Sequence, residues 1–103
     1  MEMKELPEHY SHLKEKFPDF FSALEDLGRK AKSAGPLDQK TVELLQLAAA
    51  AAVRSEGAVH SHARRALEAG ASQEELYHAL LAVTSTIGFP TVAAALSWIK
   101  DVI

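Results

Sequence analysis

The chain reads as an all-α protein, and three observations say so. Apolar residues recur at three- and four-residue intervals along nearly its whole length. No alternating apolar run is long enough for a convincing strand. The breaks between the periodic segments carry Gly35-Pro36, Gly70 and Gly88-Phe89-Pro90. At 103 residues the chain has room for one domain of about six helices. Its 48% hydrophobic content is rich in alanine, which buries little area per residue, so close helix packing and association between subunits are both expected.

The elements follow in order. Pro7 opens a short helix to about Lys16. Pro18 suits the first turn of a second helix, on which Phe21, Leu24, Leu27 and Ala31 form an apolar stripe; Ser33-Ala34-Gly35-Pro36 stops it. Asp38 is placed to cap a third helix running to about Arg54. The second half of that helix, Ala48 to Val53, is small on every side and so is expected to be the central, fully surrounded one. Ser55 caps the fourth helix, with Glu56 favourably set against the helix dipole, and Gly70 ends it in a left-handed cap. Ser72 and Glu75 have capping-box spacing and open a fifth helix with a core stripe of Leu76, Leu80, Val83 and Ile87. Gly88-Phe89-Pro90 breaks the chain before a last helix whose stripe is Val92, Ala95, Leu96, Ile99 and Val102, with Trp98 on its flank. Residues 1–36 read as amino-terminal helices of the same domain, and 37–103 as its core.

Charge and composition exclude several function classes. A net charge of −3 argues against a nucleic-acid binder working by phosphate neutralisation, and the basic groups Arg29-Lys30-Lys32 and Arg64-Arg65 read as solvated helix faces. No apolar run approaches the ~20 residues that span a bilayer, and the polar start MEMKELPEHY is unlike a secretory signal, so a cytoplasmic protein is expected. There is no cysteine, which removes disulfides, thiolate metal sites and thiol-based peroxide chemistry by this chain acting alone.

The candidate chemistry sits between Leu37 and Glu75. Ser55, Ala58 and His62 stand at i, i+3 and i+7 and share one helix face. His62 also shares a side with Val59, Ala63 and Ala66, which suits either a buried structural histidine or a proton-transfer group beside a cavity. Glu43 lies among Val42, Leu44, Leu45 and Leu47, and spacing alone fits a surface glutamate as well as a functional carboxylate. His60 and His62 form H-x-H, but i and i+2 point about 160° apart on a helix, so they do not grip one metal together and no metal site is expected. Arg54 ends the Glu43 helix and suits either a carboxylate-binding cation or a charge at a helix C-terminus.

These residues resemble the carboxymuconolactone decarboxylase and alkylhydroperoxidase D-like family. Its redox members carry E-x11-C-x2-C-x3-H followed by A-L-x-x-G-A-[ST]-x-E-E. Glu43, Ser55, Ala58, His62, Ala66-Leu67, Gly70-Ala71-Ser72 and Glu74-Glu75 occupy those positions, with both cysteine positions replaced. The resemblance implies the family's helical fold, a Glu43–His62 pair (direct or bridged by water) and assembly as a trimer or hexamer through exposed residues such as Phe17, Phe20, Tyr77 and Trp98. It also implies a choice of activity. One branch offers cofactor-independent acid–base decarboxylation of a small carboxylated lactone or related acid, with His62 moving the proton, Glu43 holding the imidazole and Arg54 seating the carboxylate. The other offers peroxide reduction by a thiol pair, which Ser55 and Ala58 cannot perform. The alternative is a non-catalytic oligomeric binding or scaffold protein. Ser55 and His62 lie two turns apart, roughly 10 Å along the axis, so a direct hydroxyl–imidazole bond is not expected and N-capping is the role assigned to Ser55.

Overall fold

A computed structural model describes residues 8–103 and is helical throughout, with no strand among them. Contacts divide the chain into two units at Pro36/Leu37. Pro7, expected to open the first helix, lies outside the described residues.

The first unit is a helical hairpin of α1 (Glu8–Lys16) and α2 (Pro18–Lys32). Pro18 occupies the first turn of α2, where its missing N–H would lack an intrahelical partner anyway. Phe21 is buried, its ring edge-on to Tyr10 and Phe20 with centroids 5.2 Å away in each case. Glu25 ties the two helices by accepting from the Tyr10 hydroxyl at 3.1 Å and the Lys14 ammonium at 2.8 Å. The rest of the anticipated stripe differs from expectation: Leu24, Leu27 and Ala31 are exposed. The nine residues of α1 are too short to run beside all fifteen of α2, so among the described residues of this unit nothing covers the carboxyl-terminal half of the stripe.

The second unit packs α3 (Gln39–Ala52), α4 (Glu56–Glu68), α5 (Gln73–Leu81), α6 (Thr84–Ile87) and α7 (Phe89–Ile99) around one core. Leu47, Val59, Leu76, Leu80, Val92 and Ile99 are its largest fully buried side chains. Alanine fills the space between α3 and α4: Ala50 and Ala51 on one helix, Ala63 and Ala66 on the other, all buried. Such short side chains let two backbones approach closely.

Three sequence expectations are corrected here. The alanine-rich half of α3 is not surrounded. Its buried stripe is Glu43, Leu47, Ala50 and Ala51, spaced i, i+4, i+7 and i+8, whereas Leu45, Ala49, Ala52 and Val53 face outward. Small size therefore marks one close interface rather than burial on all sides. Trp98 is half-buried and packed against the core, not an exposed contact. Finally, the helix opened by Ser72 does not continue to Ile87. The Val83 N–H falls back on the Leu80 carbonyl at 3.4 Å, and the Thr84 hydroxyl takes the Leu81 carbonyl at 2.7 Å. Four of the five residues from 83 to 87 are β-branched, and their restricted χ1 disfavours a continued helix. Leu76 and Leu80 remain fully buried, while Val83 and Ile87 pack at the core's margin.

Caps fix the boundaries. The Asp38 carboxylate accepts from the Thr41 N–H at 2.8 Å, and Ser72 and Glu75 form the complete reciprocal capping box. Gly70, at φ 101°, closes α4 in a Schellman motif: Ala71 N–H donates to the Ala66 carbonyl and Gly70 N–H to that of Leu67. The hydrogen bonds from Thr41 hold the Asp38 carboxyl below its usual range, and the Ser72 N–H, aided by Lys40 at 3.0 Å, does the same for Glu75. A carboxyl with a depressed folded-state pKa adds stability above its unfolded value of about 4, and that stability is lost as pH falls through the folded value. Urea unfolding between about pH 5 and pH 3 should therefore lose midpoint less steeply in Glu75→Gln and Asp38→Asn than in the wild type. Unchanged pH slopes in both variants would refute the assignment.

Candidate functional site

The site is made by the α3–α4 hairpin. Three residues join the helices, and each does a defined job. Val53 is the C-cap of α3, and Arg54 follows at φ 57°, the left-handed region that non-glycine residues rarely enter. Arg54 N–H donates to the Ala51 carbonyl and Ser55 N–H to that of Ala50, the same Schellman pattern that Gly70 makes at the end of α4. An arginine in this conformation carries a backbone cost of about 1–2 kcal/mol. Its guanidinium donates to the Thr91 hydroxyl at 2.8 Å, tying the turn to the start of α7. Ser55 then caps α4 by accepting from the Ala58 N–H at 3.3 Å.

The turn sends α4 back along the buried stripe of α3, and the stripe begins with Glu43. His62 lies on α4 beside the buried Val59, Ala63 and Ala66. Its Nδ1 stands 3.0 Å from Glu43 Oε1. The Glu43 side chain is 4% exposed and that of His62 16%. A carboxylate withdrawn this far from water needs a partner, and the imidazole is one. An ionised Glu43 fixes the ring hydrogen on Nδ1, which leaves Nε2 as the basic nitrogen. Such a pair can orient an imidazole, stabilise its protonated form and move one proton.

The other candidates are placed differently. Ser55 and Ala58 are joined to each other through the cap, so the hydroxyl expected to be a cap is used as one. Arg54 extends to Thr91 on α7. His60 and His62 diverge as their spacing requires, since His60 Nε2 meets Asp101 Oδ2 at 2.9 Å while His62 meets Glu43. Two features escaped the sequence reading. The left-handed Arg54 carried no glycine or asparagine to announce it, and Asp101 is 41 residues from His60. The i, i+4 spacing of Glu56 and His60 was the one local hint of that second cluster.

A groove of about 330 Å³ runs between α3 and α5, lined mainly by Leu44, Leu45, Ala48, Ala79 and Val83, with Glu75 and His78 among its polar residues. Neither Glu43 nor His62 lines it.

Against this geometry, the sequence profile of the carboxymuconolactone decarboxylase family matches residues 18–101. The chain belongs to that family. An uncharacterized protein of Methanocaldococcus jannaschii is 30% identical over 90 residues, covering 87% of this chain and 84% of the relative. Within the family this chain has no cysteine, so it contains neither sulfur of a thiol pair. No described helix is long and apolar enough to cross a membrane.

The buried pair can be tested by stability alone. Removing His62 takes a hydrogen-bond partner from a buried carboxylate, so His62→Ala should lower unfolding stability by about 3 kcal/mol. Replacing both groups with leucine should recover a substantial part of the loss, because no charge is then left buried. A double variant as unstable as the sum of the singles, in urea titrations, would show that the two do not act as a pair.

Proposed function

We propose that this protein is a cofactor-independent acid–base decarboxylase acting on a small carboxylated lactone or related acid. The supporting observation is the 3.0 Å contact between buried Glu43 and His62, two residues that the family motif pairs and the fold brings together. In the proposed reaction the bond between the ring carbon and its carboxylate breaks, and carbon dioxide leaves. The electron pair passes into the conjugated lactone carbonyl. Protonated His62 donates from Nε2 to carbon, becomes neutral and regains its proton from solvent. Glu43 holds the ring through Nδ1 and stabilises the imidazolium while it exists. Arg54 is left out of this scheme because its guanidinium is engaged with Thr91.

The test is carbon dioxide release and ultraviolet change with γ-carboxymuconolactone, using wild type, His62→Gln and Glu43→Gln, each checked for native helicity by circular dichroism. Wild-type turnover that falls at least roughly 100-fold in folded His62→Gln supports the proposal. Absence of wild-type turnover between pH 5 and 9 would overturn it. A second reading, a non-catalytic binding protein, draws support from the apolar groove that excludes the pair. Saturable binding of an apolar dye, relieved by Ala48→Leu and unaffected by His62→Gln, would favour that reading.

We also propose that the chain assembles with itself as a trimer or hexamer. Phe17, Phe20 and Tyr77 are exposed, and a chain of 11.2 kDa gains stability by covering such surface. Light scattering after gel filtration should give three or six times the chain mass, and a monomer mass at micromolar concentration would reject the assembly.

A further inference from the structure

A second cluster of chemistry-bearing side chains lies outside the Glu43–His62 pair. Glu56 and His60 stand one turn apart on α4, and Asp101 approaches them from the chain just after α7. His60 Nε2 is 2.9 Å from Asp101 Oδ2 and 3.9 Å from Glu56 Oε2. One donor atom from each residue lies within 4.8 Å of the other two. From this juxtaposition we propose that Glu56, His60 and Asp101 form a binding site for a divalent transition-metal ion of the zinc type, clamping the segment after α7 onto α4.

The donor set carries the argument. Imidazole nitrogen and carboxylate oxygen are both normal ligands of zinc, at about 2.0–2.2 Å. Donors at those distances around a tetrahedral ion stand about 3.3 Å from one another. The two measured separations bracket that value, one shorter and one longer. Glu56 and Asp101 side chains are 56% and 59% exposed, so each is free to rotate towards a shared ion. Glu56 and His60 need no tertiary rearrangement to converge, because i, i+4 residues already share a helix face.

Charge supplies an independent reason. Among the described residues, the ion pairs made by Glu56 and by Asp101 are both to His60. Two carboxylates thus share one imidazole, which can bring at most a single positive charge. A divalent ion would balance both. On binding, it replaces any proton on Nε2, leaving the imidazole hydrogen on Nδ1 and releasing the displaced proton to solvent. Three protein donors leave a fourth position for water. The site uses the opposite helix direction from His62, consistent with the divergence of the two histidines.

The test uses the full untagged chain after chelator treatment, titrated with zinc sulfate by calorimetry and with cobalt(II) by visible absorption. The wild type should bind one equivalent, with cobalt showing the stronger bands of a tetrahedral site, and zinc should raise its melting temperature. His60→Ala and Asp101→Asn should each weaken zinc binding at least roughly tenfold, while His78→Ala leaves it unchanged. Should His60→Ala have lost its fold, Asp101→Asn and Glu56→Gln, both at exposed positions, carry the same prediction. Binding that is absent in the wild type, equal in the Asp101 and Glu56 variants, or equally weakened by His78→Ala would overturn the site.

Discussion

The close approach of α3 and α4 is the constraint on which the rest of the second unit depends. It rests on Ala50 and Ala51 facing Val59, Ala63 and Ala66, with no side chain longer than valine among them. Larger groups would force the helices apart, and neighbouring side chains near the hairpin would separate with them. The carboxylate of Glu43 and the ring of His62 meet at 3.0 Å only because both helices are held at this spacing. The core and the candidate site thus share one cause, so their energetics cannot be varied independently.

That coupling explains how a carboxylate can be buried at the head of an apolar stripe. Left alone there it would be strongly destabilising, and with the imidazole beside it the group is satisfied. No buried side-chain nitrogen or oxygen among the described residues lacks a partner. The connecting turn adds to the same arrangement. Arg54 occupies a conformation better suited to glycine, and its guanidinium anchors the turn to Thr91. A glycine would ease the backbone there but would give up that anchor. The cost is therefore tied to position: the residue holds the α3–α4 junction against the start of α7.

The absence of cysteine leaves the α3–α4 junction intact. Ser55 and Ala58 stand where a redox pair would stand, at the amino end of α4, and together they make a helix cap instead. The fold keeps its hairpin, its cap and its buried pair without sulfur. What the fold holds in place is a carboxylate and an imidazole 3.0 Å apart.

Local signals carried much of the architecture. Asp38, Ser55, Gly70 and the Ser72–Glu75 box each act over three or four residues, so their roles are written in the sequence itself. The family resemblance placed Glu43 and His62 together, although spacing left each of them two readings. Tertiary structure decided the remainder. It chose which face of the alanine helix is buried, because composition that is small all round carries no phase. It drew Trp98 into the core margin and joined Asp101 to His60 across 41 residues, a distance over which no local pattern has a voice. Periodicity and capping are properties of a segment; contact between segments is a property of the packed chain, and the geometry of both titratable clusters depends on it.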